Sequence, residues 1–138
     1  MNVTDLIKSM GSMGTMFSEK NFNDILDYCS LMLYDERVVM VNENDKPVAF
    51  IFYAITDDPD KYLKKGSYEY IPHDISGKAV YVEKLVSFTW NRDLRMLFER
   101  IIIEKYPQIE YGVWYRAKKW GDQKVVTRRR IECTKSKS

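Results

Sequence analysis

The run VAFIFYAI, residues 48–55, constrains this chain more than any other stretch. A strand that buried one side would show a polar residue at every second position. This run carries no charge and has no polar face, so it must be covered on both sides. It reads as an internal strand of a sheet flanked by helices.

The neighbouring segments build that sheet. RVVMV precedes the run, and the polar cluster Asn42 to Lys46 between the two is the signature of a β-hairpin. Pro47 stands at the start of the second strand, where its missing N–H does little harm. A polar turn, TDDPDKYLKKG, follows with one helical turn and is closed by Gly66. KAVYVEKLVSF is the third strand. Strict alternation sends Ala79, Tyr81, Glu83, Leu85 and Ser87 to one face and Val80, Val82, Lys84, Val86 and Phe88 to the other. Both faces are mainly apolar, so the strand is central, with one charge on each side. QIEYGVWYRA and KVVTRRRIE supply two further strands.

Two amphipathic helices punctuate the strands. Phe22, Ile25, Leu26, Cys29, Met32 and Leu33 repeat with a 3.6-residue period, with Asn21 as N-cap, Asp24 in the first turn and an end near Tyr34. Leu94, Leu97, Phe98, Ile101 and Ile102 form a second stripe, with Asn91 as N-cap and Pro107 as stop. A short helix over about 3–9 and a mobile link make up residues 1–17, ahead of a domain over 18–132 and a basic tail over 133–138. The order describes one α+β domain with a mixed, mostly antiparallel sheet. A length of 138 residues allows one core of this kind, and 45% hydrophobic with 30% charged residues excludes a disordered chain.

No apolar run approaches the ~18 residues of a membrane helix, and the N-terminus has no basic segment followed by an apolar one. The expected compartment is the cytoplasm. Cys29 and Cys133 form no CxxC and no Cys/His cluster, which argues against a metal site. The charge is unevenly placed. Arg116 to Lys137 holds nine Lys/Arg against two acids, leaving thirteen basic and eighteen acidic residues elsewhere in the chain. An acidic body with a basic C-terminal arm points to an anionic partner.

The middle of the chain carries a resemblance. NDKPVAFIFYAITDDPDKYL followed by IPHDISGKAVYVEKLVSF is similar to the toxin-activating lysine acyltransferases that acylate RTX haemolysins. The matching parts are Pro47–Ala49, Tyr62–Leu63, Ser76–Gly77 and the aromatic-rich strand Tyr81–Phe88, with Glu83 at the position of the family's acid. The resemblance covers roughly residues 20–105. It implies a GNAT-like fold and transfer of a fatty acyl group from acyl carrier protein to a lysine side chain. The family's histidine before the first helix has no counterpart in MGTMFSEKNF, and its strand acid is here a glutamate.

The candidate catalytic residues are Glu83 and His73. Glu83, desolvated in a central strand, could act as base toward an amine. Its alternative is a buried carboxylate paired with Arg95 or Arg116. His73, the chain's one histidine, precedes a Ser76–Gly77 turn that could fold it toward Glu83. The alternative for His73 is a surface pair with Asp74.

Asn91 and Arg92 open the helix where GNAT-like enzymes cradle a pyrophosphate. The turn SFTWNRDLR has no glycine, Trp90 and Asn91 crowd it, and Asp93 opposes an anion. No tightly bound cofactor is expected, and acyl-phosphopantetheine on a carrier protein suits the turn better than CoA. Trp114, Arg116, Lys118, Lys119, Trp120, Arg128, Arg129 and Arg130 interleave aromatic and basic groups as a partner-binding face. Its occupant is an acidic protein such as acyl carrier protein, or a nucleic acid. The same fold with its chemistry lost, kept as an assembly module such as a phage accessory or virion protein, is the rival reading.

Overall fold

The computed structural model describes residues 2–11, 22–59, 72–87, 91–117 and 124–130, with the backbone alone described at residues 22, 114–117 and 124–130. Among the described residues three helices, α1 (Val3–Gly11), α2 (Phe22–Tyr34) and α3 (Arg92–Lys105), accompany five strands. These are β1 (Val38–Glu43), β2 (Lys46–Thr56), β3 (Ala79–Ser87), β4 (Tyr111–Ala117) and β5 (Lys124–Arg130). The sheet order is β1-β2-β3-β4-β5. Every neighbouring pair is antiparallel except β3 and β4, which are parallel and joined through α3. The α+β architecture expected from the residues is the one observed.

β2 is the internal strand that its composition requires. Phe50 to Ile55 are each exposed by 1% or less. Ala49, Ile51, Tyr53 and Ile55 pack with Leu94, Phe98, Ile102, Ile103 and Tyr106 of the α3 layer. Phe50 and Phe52 pack on the opposite face with Leu6 and Met10 of α1 and Tyr28, Cys29 and Met32 of α2. The sheet is thus the middle of three layers.

Local chemistry places the ends. Asn2 Oδ1 accepts from Asp5 N at 2.8 Å and starts α1, which runs two residues beyond its expected end at 9. Asn44 and Asp45 both have positive φ (52° and 64°), the two-residue hairpin turn that matches strand twist. Asn91 Oδ1 accepts from Leu94 N at 2.9 Å and caps α3, which ends at Lys105 before Pro107. The buried stripe of α3 is rotated from the expected one. Leu97 is exposed, while Ile103 is buried in its place. The expected N-cap Asn21, the link between α1 and α2 and the turn containing Tyr62–Leu63 lie outside the described residues.

The end of α2 is closed without glycine. Arg37 N donates to Met32 O (2.8 Å) and Glu36 N to Leu33 O (3.1 Å), with Glu36 at φ 57°. This is a Schellman closure with glutamate at the left-handed position. Its consequence is that Arg37 is turned into the interior, where its side chain is fully buried.

β3 does not alternate strictly. Phe52 pairs with Lys84 and Tyr53 with Val82, so Glu83 is an extra residue opposite β2. A bulge of this kind turns two successive side chains to one face. Glu83 and Lys84 therefore both point to the α2 side, and the expected placement of one charge on each face is corrected. Beyond the bulge, Leu85 returns to the α3 layer and Val86 to the α2 layer.

A candidate site where β3 and β4 part

The bulge coincides with a parting of strands. β3 and β4 pair over four residues, Ala79↔Tyr111 to Val82↔Trp114. β3 then continues to Ser87 beside β2, and β4 to Ala117 beside β5. Among the described residues the facing backbone groups of 83–87 and 115–117 form no β3–β4 ladder with each other. A gap flanked by such groups accepts an extended, amide-bearing chain as an added strand. Glu83 is the first β3 residue past the last pair.

The Glu83 side chain is 4% exposed and lies against Arg37, with Nη2 to Oε2 at 2.6 Å. Tyr28 Oη donates to Oε1 at 3.3 Å. Arg37 Nε donates to Tyr53 O at 2.9 Å, and its Nη1 lies 3.5 Å from Asp35 Oδ2. Burial pushes the Glu83 carboxyl up to about 7, with Arg37, the Tyr28 hydroxyl and Lys84 pulling it back. Burial and the adjacent carboxylate push the Tyr28 hydroxyl far above its ordinary value, so it serves as a donor. Burial likewise raises the neighbouring Cys29 thiol to about 12, which leaves it inert.

Glu83 is partnered by Arg37, and not by Arg95, one of the two partners expected from the residues. Arg95 pairs with Glu99 one turn along α3 at 3.7 Å, and Arg116 is described by its backbone in β4. Arg37 and Tyr28 are the functional neighbours that the sequence reading missed. Arg37 looks like an ordinary first residue of a strand, and Tyr28 falls just off the apolar stripe of α2. A basic residue immediately before an apolar strand was the one available signal.

His73 sits on the other face. Its Nδ1 accepts from Ile55 N at 3.0 Å, and Asp74 N donates to Ile55 O at 2.8 Å, so the loop pairs with β2 beyond the reach of β1. With Nδ1 accepting, the proton resides on Nε2, 3.3 Å from Tyr106 Oη. The ring meets Tyr53 and Tyr106 edge-on, with centroids at 6.2 and 5.9 Å. Burial, with Arg37 adding to it, holds His73 below its ordinary value. The Ser76–Gly77 turn does fold the loop onto the sheet, but onto the α3 layer. Among the described residues no direct hydrogen bond or ion pair joins His73 to Glu83, and Asp74 bonds Ser76 instead of the imidazole.

Asn91 and Arg92 are exposed at the N-terminus of α3, the Asn91 side chain committed to its cap. The basic arm divides by register. Ala117 pairs with Lys124, so Arg116 and Lys124 stand at the open end of the β3–β4 gap. Arg128, Arg129 and Arg130 pair with Val113, Gly112 and Tyr111, at the closed end. The two groups are about 13 Å apart along the strand. Trp114 marks the last β3–β4 pair, and Lys118, Lys119 and Trp120 lie outside the described residues. Among the described residues no group of His, Cys, Asp and Glu could hold a metal, and no helix is long and apolar enough to cross a membrane.

The fold is GNAT-like. It is similar to the loading GNATL domain of CurA from Lyngbya majuscula, with 16% identity and a TM-score of 0.55, covering 83% of this chain and 60% of that one. It is also similar to the GphF GNAT-like decarboxylase in complex with isobutyryl-CoA, with 15% identity and a TM-score of 0.60, covering 87% and 66%. The chain thus spans about two thirds or less of each of these structures. No protein-family model matches the chain, and no curated protein does.

Proposed function

We propose that this chain is an acyltransferase-like domain that takes an acyl-phosphopantetheine thioester into the gap between β3 and β4. It would pass the acyl group to a lysine amine, as the toxin-activating lysine acyltransferases do. The observation that carries this reading is the end of β3–β4 pairing at Val82 and Trp114, one residue before a buried carboxylate. The phosphopantetheine arm is a chain of two amides, and strand backbones that do not pair with each other match it. The bound isobutyryl-CoA of the GphF structure supports a thioester of this class.

The reaction balances with groups of this chain. The amine nitrogen attacks the thioester carbonyl carbon, the C–N bond forms and the C–S bond breaks. Glu83, titrating near 7, accepts the amine proton and returns it to the departing thiolate. His73 has its Nδ1 engaged by Ile55 and takes no part. The donor is an acyl carrier protein rather than free CoA. Arg116 and Lys124 lie on the strands at the open end of the gap, where an acidic carrier would dock.

A second reading has its own observation. Glu83 is bound to Arg37 at 2.6 Å with both side chains buried, the arrangement of a structural ion pair. A domain that binds a partner without chemistry would show the same pair. Intact-mass spectrometry separates the two readings, with the chain mixed with carrier proteins bearing several acyl chains, with acyl-CoA in parallel, and with Glu83→Gln as control. Acyl adducts on the chain or on an added lysate that vanish with Glu83→Gln support the enzyme. Folded protein that yields none with any donor supports the binding module.

A further inference from the structure

We propose that Arg37 is a positioning residue that fixes the orientation and charge of Glu83 at the mouth of the β3–β4 gap. The inference rests on the preceding reading of Glu83 as the proton-transferring group. Most polar groups of Arg37 are held by hydrogen bonds, and its Nη1 lies 3.5 Å from Asp35 Oδ2. Its N–H is held by Met32 O (2.8 Å), its carbonyl accepts from Tyr53 N (3.1 Å), and its Nε donates to Tyr53 O (2.9 Å). In an ordinary ladder the backbone of Arg37 would supply the donor to Tyr53 O. Here the side chain does so, which locks the guanidinium plane across β2 and aims Nη2 at Glu83 Oε2.

The turn that delivers Arg37 supports this role. Glu36 occupies a left-handed conformation that glycine would adopt at less cost. Two side chains brace it from the other layer, with Tyr53 Oη donating to Glu36 O at 3.0 Å and Lys105 Nζ at 3.3 Å. The local strain is therefore held in place by the α3 side of the core.

The two carboxylate oxygens have different surroundings. Oε2 carries the short bond to Arg37, and Oε1 has the longer contact from Tyr28. Oε1 is thus the oxygen able to exchange a proton, and the guanidinium stabilises the carboxylate that remains after the proton leaves. The charged groups acting on Glu83 are Arg37, immediately before β1, and Lys84 on its own strand. Loss of Arg37 leaves burial less opposed.

The test follows Glu83 directly, through the carboxyl carbon resonance of the full chain as pH is varied. It is run for the wild type, Arg37→Met and Arg37→Lys, beside the pH–rate profile of acyl transfer. Arg37→Met is expected to move the Glu83 titration upward by about 1–3 pH units. The acid limb of the rate profile should move with it, and Arg37→Lys should recover much of the shift. A folded Arg37→Met with the wild-type titration overturns the proposal, as does a rate lost equally at every pH. If Arg37→Met does not fold, Arg37→Gln, which keeps a hydrogen-bonding side chain without the charge, decides: a wild-type Glu83 titration overturns the proposal, and an upward shift supports it. A wild-type chain without turnover overturns the preceding reading, and the carboxyl titration then still decides whether Arg37 governs Glu83.

Discussion

Ile55 gives its backbone N–H to His73 Nδ1 at 3.0 Å, so the chain's one histidine completes a sheet edge. The bond requires an imidazole without a proton on Nδ1, and protonation must break it.

The His73 ring is therefore expected to titrate below the ordinary value of 6.5. The depressed folded value means that the unfolded chain binds the proton first. The contribution of His73 to stability is present above about 6.5 and is lost as pH falls through the folded value. One imidazole resonance in the proton spectrum makes the measurement direct. A titration at or above 6.5 would show that Nδ1 is free.

Glu83 acts in the opposite direction. Its folded value, about 7, lies above the ordinary 4.5, so the folded chain holds the proton more tightly. The stability from this group is full below about 4.5 and declines as pH rises to about 7, by a few kcal/mol at most. Denaturation of wild type and Glu83→Gln across that window should show the wild-type advantage shrinking with pH. A constant difference would contradict the assignment.

Gly77 presses its backbone on that of Thr56. A Cβ built at Gly77 lies 2.6 Å from Thr56 C and 2.8 Å from both Cα and N. Gly77 N is also bonded to Asp74 O (2.9 Å), and Gln108 Nε2 donates to Gly77 O (3.1 Å), so the loop cannot simply retreat. Gly77→Ala should destabilise by about 1–3 kcal/mol in urea unfolding. A neutral effect would mean that this loop does not sit on β2.

Glu36→Gly should stabilise. Relief of the left-handed conformation at φ 57° outweighs the added freedom of the unfolded chain, for a net gain of roughly 0.5–1 kcal/mol. The carbonyl that accepts from Tyr53 and Lys105 is retained. Thermal and urea midpoints would both rise.

The fold was legible where a residue type permits one solution. VAFIFYAI could only be internal, the polar cluster around Asn44 and Asp45 could only turn, and Asn91 and Pro107 bracket α3. The site was less legible because its geometry depends on one inserted residue. Nothing in YVEKL marks a bulge, for neither glycine nor proline interrupts the alternation, so Glu83 and Lys84 were assigned to opposite faces. The Arg37–Glu83 pair joins residues 46 positions apart, through a helix end that lacks the usual glycine. His73 was visible as a loop residue, but the layer onto which the loop folds is decided by the free edge of Ile55.

The central claim is that an acyl-pantetheine arm lies between β3 and β4. Amide chemical shifts of the full chain, recorded during titration with acyl-pantetheine and with acyl carrier protein, test it most directly. The account predicts that the largest changes fall on Glu83 to Ser87 and Tyr115 to Ala117, with little change at Arg128 to Arg130. Changes confined to Arg128–Arg130, or none at all from folded protein, would contradict it.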